Sequence, residues 1–489
     1  MMLLAALTLC AQSDAAAEKA ARAKSLLGAN RFSEAAILYG ELVRAMPGNP
    51  GLLLNQGMAL HMAGEDGKAI PPLELALKLN PTIPPALLFL GASYLRTGQP
   101  AKALVPLEKF AAIDPNHAEA RRMLVDAATS SGQPQRALPH LEKLSQINPR
   151  QSAIWFELGR TYEGLAFDAF AQLEKSFPES GPFFAVLADS RSKISQSKSA
   201  FFFYRKALAQ SPNLRGLRTS LAAIYRKDDH PEWALHEEAA EARLPKLNCA
   251  VKTPECEFAT GRYQSAIRLS RTRNTAENLY WRVQSYNALA ADAFAKLNAL
   301  PESAESARLV AETQRELGRH AEAATAWQNA LRLAPNHPEF ERELAAAWMN
   351  AKQYADAQKL TDTLLAREPN APDLNHLQGD LFLAQQLAEQ AIPFLKKAIQ
   401  QDPRLLPAQA SLARALLQSG RAAEALPHVT AALPLDTDGS LHFQLARAYQ
   451  SSGQAEAAKT AMAKYQEIQA RSRKQDLVLD EELKITPPQ

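Results

Sequence analysis

The sequence predicts an all-α chain built from stacked helix-turn-helix units. Three observations lead there: a recurring 34-residue spacing, a composition rich in alanine and leucine with only 7% aromatic residues, and helix-stopping residues at fixed positions. A chain of 489 residues exceeds what one globular core usually holds, so several domains or a repeat array are expected. The spacing decides for the array. Pro47, Pro81, Pro115 and Pro149 stand 34 apart, as do Gly64, Gly98 and Gly132, and Ala35, Ala69, Ala103 and Ala137.

Each column has a mechanical role. If Pro81 is the thirty-second position of a unit, Gly57 is the eighth, Gly64 the fifteenth, Ala69 the twentieth and Ala76 the twenty-seventh. Small residues at the eighth and twentieth positions let the two helices of a unit, A and B, cross closely. Glycine at the fifteenth ends helix A with a positive φ, a role Asn30 fills in the first unit. Proline at the thirty-second stops helix B, because it lacks an N–H and clashes with the preceding turn. The next unit reads Gly91, Tyr94, Gly98, Ala103 and Pro115.

These residues and their spacing resemble the tetratricopeptide repeat, whose unit carries Trp, Leu-Gly and Tyr in helix A, and Ala, an aromatic and Pro in helix B. The resemblance covers roughly residues 16 to 470. It implies a right-handed superhelical solenoid of about thirteen units.

Regular units 1–4 fill residues 14–149. A fifth opens with Trp155, Leu158, Gly159 and Tyr162, but its turn is missing across Gly164 to Leu173, and Pro178 arrives five residues early. The block 150–275 continues through Pro212, Tyr225 and Ala234 to a degenerate stretch with Gly261 and Ala266. The segment Ala288 to Leu297 repeats the irregularity at an offset of 124, matching Tyr286 to Tyr162 and Phe294 to Phe170. Each copy is expected to form one longer or tightly turned helix, the pair being remnants of a duplicated block. Within the second block, 276–470, the 34-residue register resumes at Pro301, Pro335, Pro369 and Pro403, and a charged C-terminal segment, 471–489, is expected to form a last-turn cap and then a disordered tail ending in Pro487 and Pro488.

Lys plus Arg total 55 against 52 Asp plus Glu, a net charge of +3 without a basic run, which argues against nucleic acid as a partner. The apolar run Met1 to Cys10 is too short to span a bilayer. With Ala11, Gln12 and Ser13 behind it, the segment 1–13 is expected to be a signal peptide, which places the chain in the periplasm or outside the cell. It lacks the Lys or Arg of an n-region, and Leu9 departs from the lipoprotein pattern before Cys10. The alternative is a cytoplasmic chain with a frayed first helix. After cleavage two cysteines would remain, Cys249 and Cys256, and an even count in an exported chain favours a disulfide. The other reading is two buried or reduced thiols.

No phosphate loop, GxGxxG turn, GxSxG elbow or HExxH helix occurs. The cluster Asp228, Asp229, His230, Pro231 and Glu232 reads as a turn with an Asp N-cap and a first-turn proline rather than a metal site. No enzyme, cofactor or metal is expected, because acid–base chemistry needs a walled pocket and a repeat groove is open.

The resemblance implies a concave groove lined by helix A and filled by protein or peptide ligands. Carried onto this chain, its positions are Leu54, Met58, His61 and Met62, then Leu88, Leu95 and Arg96, which suit an apolar segment or pack against neighbouring units. Further along they are Arg308, Arg315, Arg342, Arg414 and Arg447, with Glu305, Glu312, Glu316 and Glu339 on the same wall to consume much of that charge. The Lys and Asn clamp that some relatives use for C-terminal peptides is absent: its positions hold Leu54 and Met58, Leu88 and Ala92, Arg122 and Asp126. The expected function is a non-catalytic interaction scaffold of the cell envelope. The alternatives are a regulatory or substrate-recruiting subunit of a separately encoded enzyme and a cytoplasmic adaptor.

Overall fold

The computed structural model describes residues 2–482 and 484–488, with side chains from 15 to 471 and from 484 to 488. The side chains of the expected signal segment, including Cys10, lie outside the described residues. Every regular element among the described residues is helical. The chain opens with four hairpins: α1 (Met2–Gly28) with α2 (Phe32–Ala45), α3 (Pro50–Met62) with α4 (Asp66–Leu79), α5 (Pro84–Arg96) with α6 (Pro100–Ile113), and α7 (Ala118–Ser130) with α8 (Pro134–Ile147). A single long helix, α9 (Ser152–Ser176), follows. Three hairpins come next: α10 (Gly181–Lys193) with α11 (Ser197–Gln210), α12 (Leu217–Lys227) with α13 (Pro231–Ala242), and the short pair α14 (Pro254–Ala259) with α15 (Tyr263–Ser270). A second long helix, α16 (Ala276–Asn298), precedes α17 (Ala304–Glu316) with α18 (His320–Leu333), α19 (Pro338–Asn350) with α20 (Tyr354–Arg367), and α21 (Pro372–Ala384) with α22 (Ala388–Gln401). The last pairs are α23 (Leu406–Gln418) with α24 (Ala422–Ala432) and, after a 3-10 turn, α25 (Ser440–Ser451) with α26 (Ala455–Glu482). Among the described residues this makes twelve hairpins and two single helices, where the sequence predicts about thirteen units.

Close crossing within a hairpin follows from the eighth position. A Cβ added to Gly57 would lie 2.4 Å from Leu73, and one on Gly91 or Gly379 the same distance from Leu107 or Leu395. Each of those leucines is fully buried, worth roughly 1.5–3 kcal/mol apiece. The alanines at the twentieth position, Ala35, Ala69, Ala103 and Ala137, are no more than 1% exposed. At the fifteenth position the backbone is left-handed throughout the regular hairpins, from Asn30 (φ 58°) and Gly64 (φ 79°) to Gly453 (φ 76°). Ser195, Asp229, Lys352 and Gln386 adopt the same conformation without being glycine, a strained choice for a residue with a Cβ.

The chain forms two compact units that are discontinuous in sequence. The first comprises Met1–Ala169 and Arg282–Ala299, the second Phe170–Trp281 and Leu300–Gln489. In the first unit α9 and α16 run antiparallel. The rings of Tyr162 and Tyr286 lie 6.3 Å apart, Phe294 covers Gly159, and the Lys296 ammonium sits 4.8 Å from the centre of the Trp155 ring. The two irregular segments are thus continuous helices, the longer rather than the tightly turned of the two forms expected, and they are also each other's packing partner. Ala166 and Ala290, at the position where other units place glycine, are buried and helical, so nothing breaks the helix there.

Two expectations are corrected. His230, not an aspartate, is the N-cap of α13, and it makes no side-chain cap; its ring stacks on Trp233 at 3.6 Å, while Asp229 takes the left-handed position of the turn. The C-terminal residues are not uniformly an unstructured tail: α26 continues to Glu482, and Ile485 and Thr486 lie beside α12 in the second unit.

Candidate peptide-binding surface

Stacking brings the A helices of successive hairpins side by side, α3 with α5 and α5 with α7 in the first unit, α19 with α21, α21 with α23 and α23 with α25 in the second. In the first unit the wall has an apolar part. Leu54, Met58 and Leu95 are half-buried and Met62 is 46% exposed. Leu88 packs on a core of Leu87, Phe110 and Ala120, so it serves stacking.

His61 and Arg96 are not free. Asp66, at the first turn of α4, is buried at 7% exposure. It accepts from Ser93 at 3.0 Å, pairs with His61 Nδ1 at 2.6 Å, and lies 3.3 Å from Arg96 Nε. Arg96 also donates to the His61 carbonyl. A buried carboxylate needs such partners, and here they come from two consecutive hairpins. Asp66 reaches this site because it lies two residues past the left-handed Gly64, where helix B begins under the end of helix A. The network was invisible in the sequence, since position 66 is not a groove position.

In the second unit the arginine row is spent on the protein itself. Arg308 pairs with Glu312 of its own helix at 2.9 Å and bidentately with Glu339 of the next A helix, and Arg315 reaches Glu343 at 2.6 Å. Arg342 holds Asp373 of α21 and Glu368, and Arg414 lies 3.4 Å from Asp380. Arg447 is exposed and has no ion-pair partner among the described residues. The first unit has such a rung too, Arg122 with Glu157. Charges that could have met an acidic ligand instead tie helix A to helix A.

Cys249 and Cys256 form a disulfide, with Cα atoms 5.5 Å apart. Cys256 is 2% exposed on α14 while Cys249 is exposed, so the bond pins a surface loop to the hairpin stack. No group of three or more His, Cys, Asp or Glu side chains among the described residues could hold a metal ion, and no described helix is long and apolar enough to cross a membrane.

Models of the tetratricopeptide repeat match residues 20–84, 314–381, 382–442 and 439–471. The chain is a tetratricopeptide-repeat protein. Similar solved structures include a thermophilic TPR protein of Thermus thermophilus, at 22% identity over 37% of this chain and 99% of that one, with a TM-score of 0.30. MamA of Desulfovibrio magneticus RS-1, from residue 41 onward, matches at 21% identity over 35% of this chain and 97% of its own, with a TM-score of 0.32. No curated protein matches by sequence. As in other tetratricopeptide-repeat proteins, the stacked hairpins form a protein-interaction scaffold.

A second feature of this TPR chain was not legible in the sequence. The Tyr225 hydroxyl donates at 2.8 Å to the carbonyl of Thr486, 261 positions away. The sequence held only a clue. Tyr94 and Tyr162, at the same eleventh position of their units, donate to Glu74 and Glu142, each 20 residues upstream on the preceding helix B. Twenty residues before Tyr225 stands Arg205, which cannot accept a proton.

Proposed function

We propose that this protein is a non-catalytic scaffold of the cell envelope that holds protein or peptide partners against its helix-A faces. The observation that carries the reading is the apolar part of the α3 and α5 wall, where Leu54, Met58, Met62 and Leu95 keep accessible surface that stacking does not use. Side chains of this kind suit the apolar face of a helix or an extended segment. The disulfide supports an oxidising compartment, as does the apolar N-terminal run.

The test is a photo-reactive residue placed at Met62 in the natively expressed chain, with a second at Leu75, a 40%-exposed side chain on helix B, as control. A partner cross-linked at Met62 and not at Leu75 is expected. Equal yields at both positions would sink the assignment of the binding face. If the captured partner is an enzyme, the chain is its recruiting subunit. Mass spectrometry of the same material should find a mature N-terminus between Gln12 and Ala17 and a linked Cys249–Cys256 pair. An intact Met1 with two free thiols would overturn the envelope location and leave a cytoplasmic adaptor.

A further inference from the structure

The repeat containing Tyr225 differs from its neighbours in a way that points to a ligand. Its ring is fully buried, held edge-on by Phe201 at 5.5 Å and Trp233 at 5.6 Å, so the hydroxyl is fixed in direction. In the units of Tyr94 and Tyr162 a glutamate on the preceding helix B takes the hydroxyl proton. Here the guanidinium of Arg205 lies beside the phenol, and a guanidinium only donates. Glu237 of the same hairpin lies within electrostatic reach but is held by Arg218 at 2.7 Å, and the Tyr225 hydroxyl donates instead to an acceptor from outside the hairpin, the Thr486 carbonyl. Next to it lies a cleft of about 650 Å³ between the α10–α11 turn and the end of α12, with Arg191, Lys198, Ile224 and Lys227 among its walls and Ile485 of the tail closing one side.

The tail is chemically suited to such a seat. Pro487 and Pro488 fix their own φ angles, and Thr486, preceding a proline, is confined to extended conformations. A segment of this kind loses little entropy on docking, and its carbonyls, without internal hydrogen bonds, need donors. We propose that the surface around Tyr225 is a receptor site for an extended peptide in which an apolar β-branched residue precedes Thr-Pro-Pro, and that the chain's own residues 484–488 occupy it in cis. A protein partner carrying such a segment must displace the tail. This inference rests on the scaffold reading only for its biological meaning, since its test needs no outside partner.

The test uses a fluorescent synthetic peptide with the sequence of residues 484–489 and two forms of the protein, the full chain and one ending at Glu482. By anisotropy the shortened chain should bind the peptide at least tenfold more tightly than the full chain, and Tyr225→Phe in the shortened chain should weaken binding several-fold. Arg205→Glu restores the acceptor found in the other units and keeps the ring and hydroxyl. It should weaken binding as well, which covers the case in which Tyr225→Phe fails to fold. No binding by the shortened chain at millimolar peptide, or equal affinity for both forms, overturns the site. Tail-dependent dimers of the full chain in sedimentation would mean that a second copy supplies the tail and would overturn the cis assignment. A failed cross-link at Met62 would leave this result intact, and a failed peptide titration would leave the cross-link intact.

Discussion

The helix-A wall of α3 and α5 and the helix-A wall from α17 to α23 occupy the same repeat positions and use them differently. In the first, the charged work is done by one buried carboxylate, Asp66, which gathers His61, Ser93 and Arg96, while the methionines and leucines beside it stay partly open. In the second, the same positions carry arginines, and four of them pair with carboxylates of their own or the neighbouring hairpin. Stacking within a repeat array is a sum of nearest-neighbour interfaces. It can be secured by one desolvated carboxylate or by a row of pairs that, Glu312 at 5% exposure excepted, are largely open to solvent, and the first arrangement leaves a wall with apolar surface to offer.

The comparison can be broken most directly at Asp66. Asp66→Ala strands His61 and Ser93 in a buried setting and should cost about 2–3 kcal/mol. Urea unfolding would measure it, with hydrogen exchange of α3–α5 amides locating the loss because a long array need not unfold in one step. If Arg342→Ala, on the exposed ladder, costs as much, the two walls do not differ as described.

Acid is the next probe. Burial pushes the Asp380 carboxyl up, but His376, the Ser411 hydroxyl and the Arg414 guanidinium outweigh it, so its pKa sits below the ordinary aspartate value. A group depressed in the folded state stabilises it above the unfolded-state value of about 3.9, and that contribution is lost as pH falls through the folded value. Exchange protection across α21–α23 should therefore drop below about pH 4 in the native chain and drop less in Asp380→Asn. An unchanged acid profile would remove Asp380 from the ladder.

A double-mutant cycle on Arg308 and Glu339 should give a coupling of about 0.5–1 kcal/mol, at the upper end for an exposed pair because it is bidentate, and it should shrink in high salt. Coupling above about 2 kcal/mol would mean that the ladder is as desolvated as the Asp66 network. The smallest effect concerns the turns. Gly64 serves the first wall, whereas Lys352 takes the same left-handed conformation in the second. Lys352→Gly should raise stability by about 0.5 kcal/mol, the relief of left-handed strain offset by the entropy of a freer unfolded chain. A loss on making it would show that the Lys352 side chain holds the turn.

Much of this was readable in the residues. The glycine column at the eighth position foretold a close helix crossing, and the structure adds that a leucine sixteen residues on fills the space, as Leu73 does over Gly57. The missing turns after Tyr162 and Tyr286 foretold a longer or tightly turned helix in each copy, and the structure shows the longer one, because alanines stand where the left-handed residue should be. The pairing of those helices was out of reach, since a 124-residue offset between similar segments says they are alike and nothing about their touching. The arginine row was legible as charge but not as ion pairs, because which carboxylate a guanidinium meets depends on the step between stacked hairpins.

By itself the sequence determined the all-α class, the 34-residue unit and the positions of the turns, and it set Cys249 and Cys256 near enough to bond. These are set by local sterics, by glycine, proline and small residues acting on chain within a few tens of positions. Tertiary structure alone decided that Asp66 joins two hairpins, that α9 packs on α16, and that Thr486 finds Tyr225 across 261 positions. Those contacts depend on where distant segments come to lie, and no local preference of the residues involved carries that information.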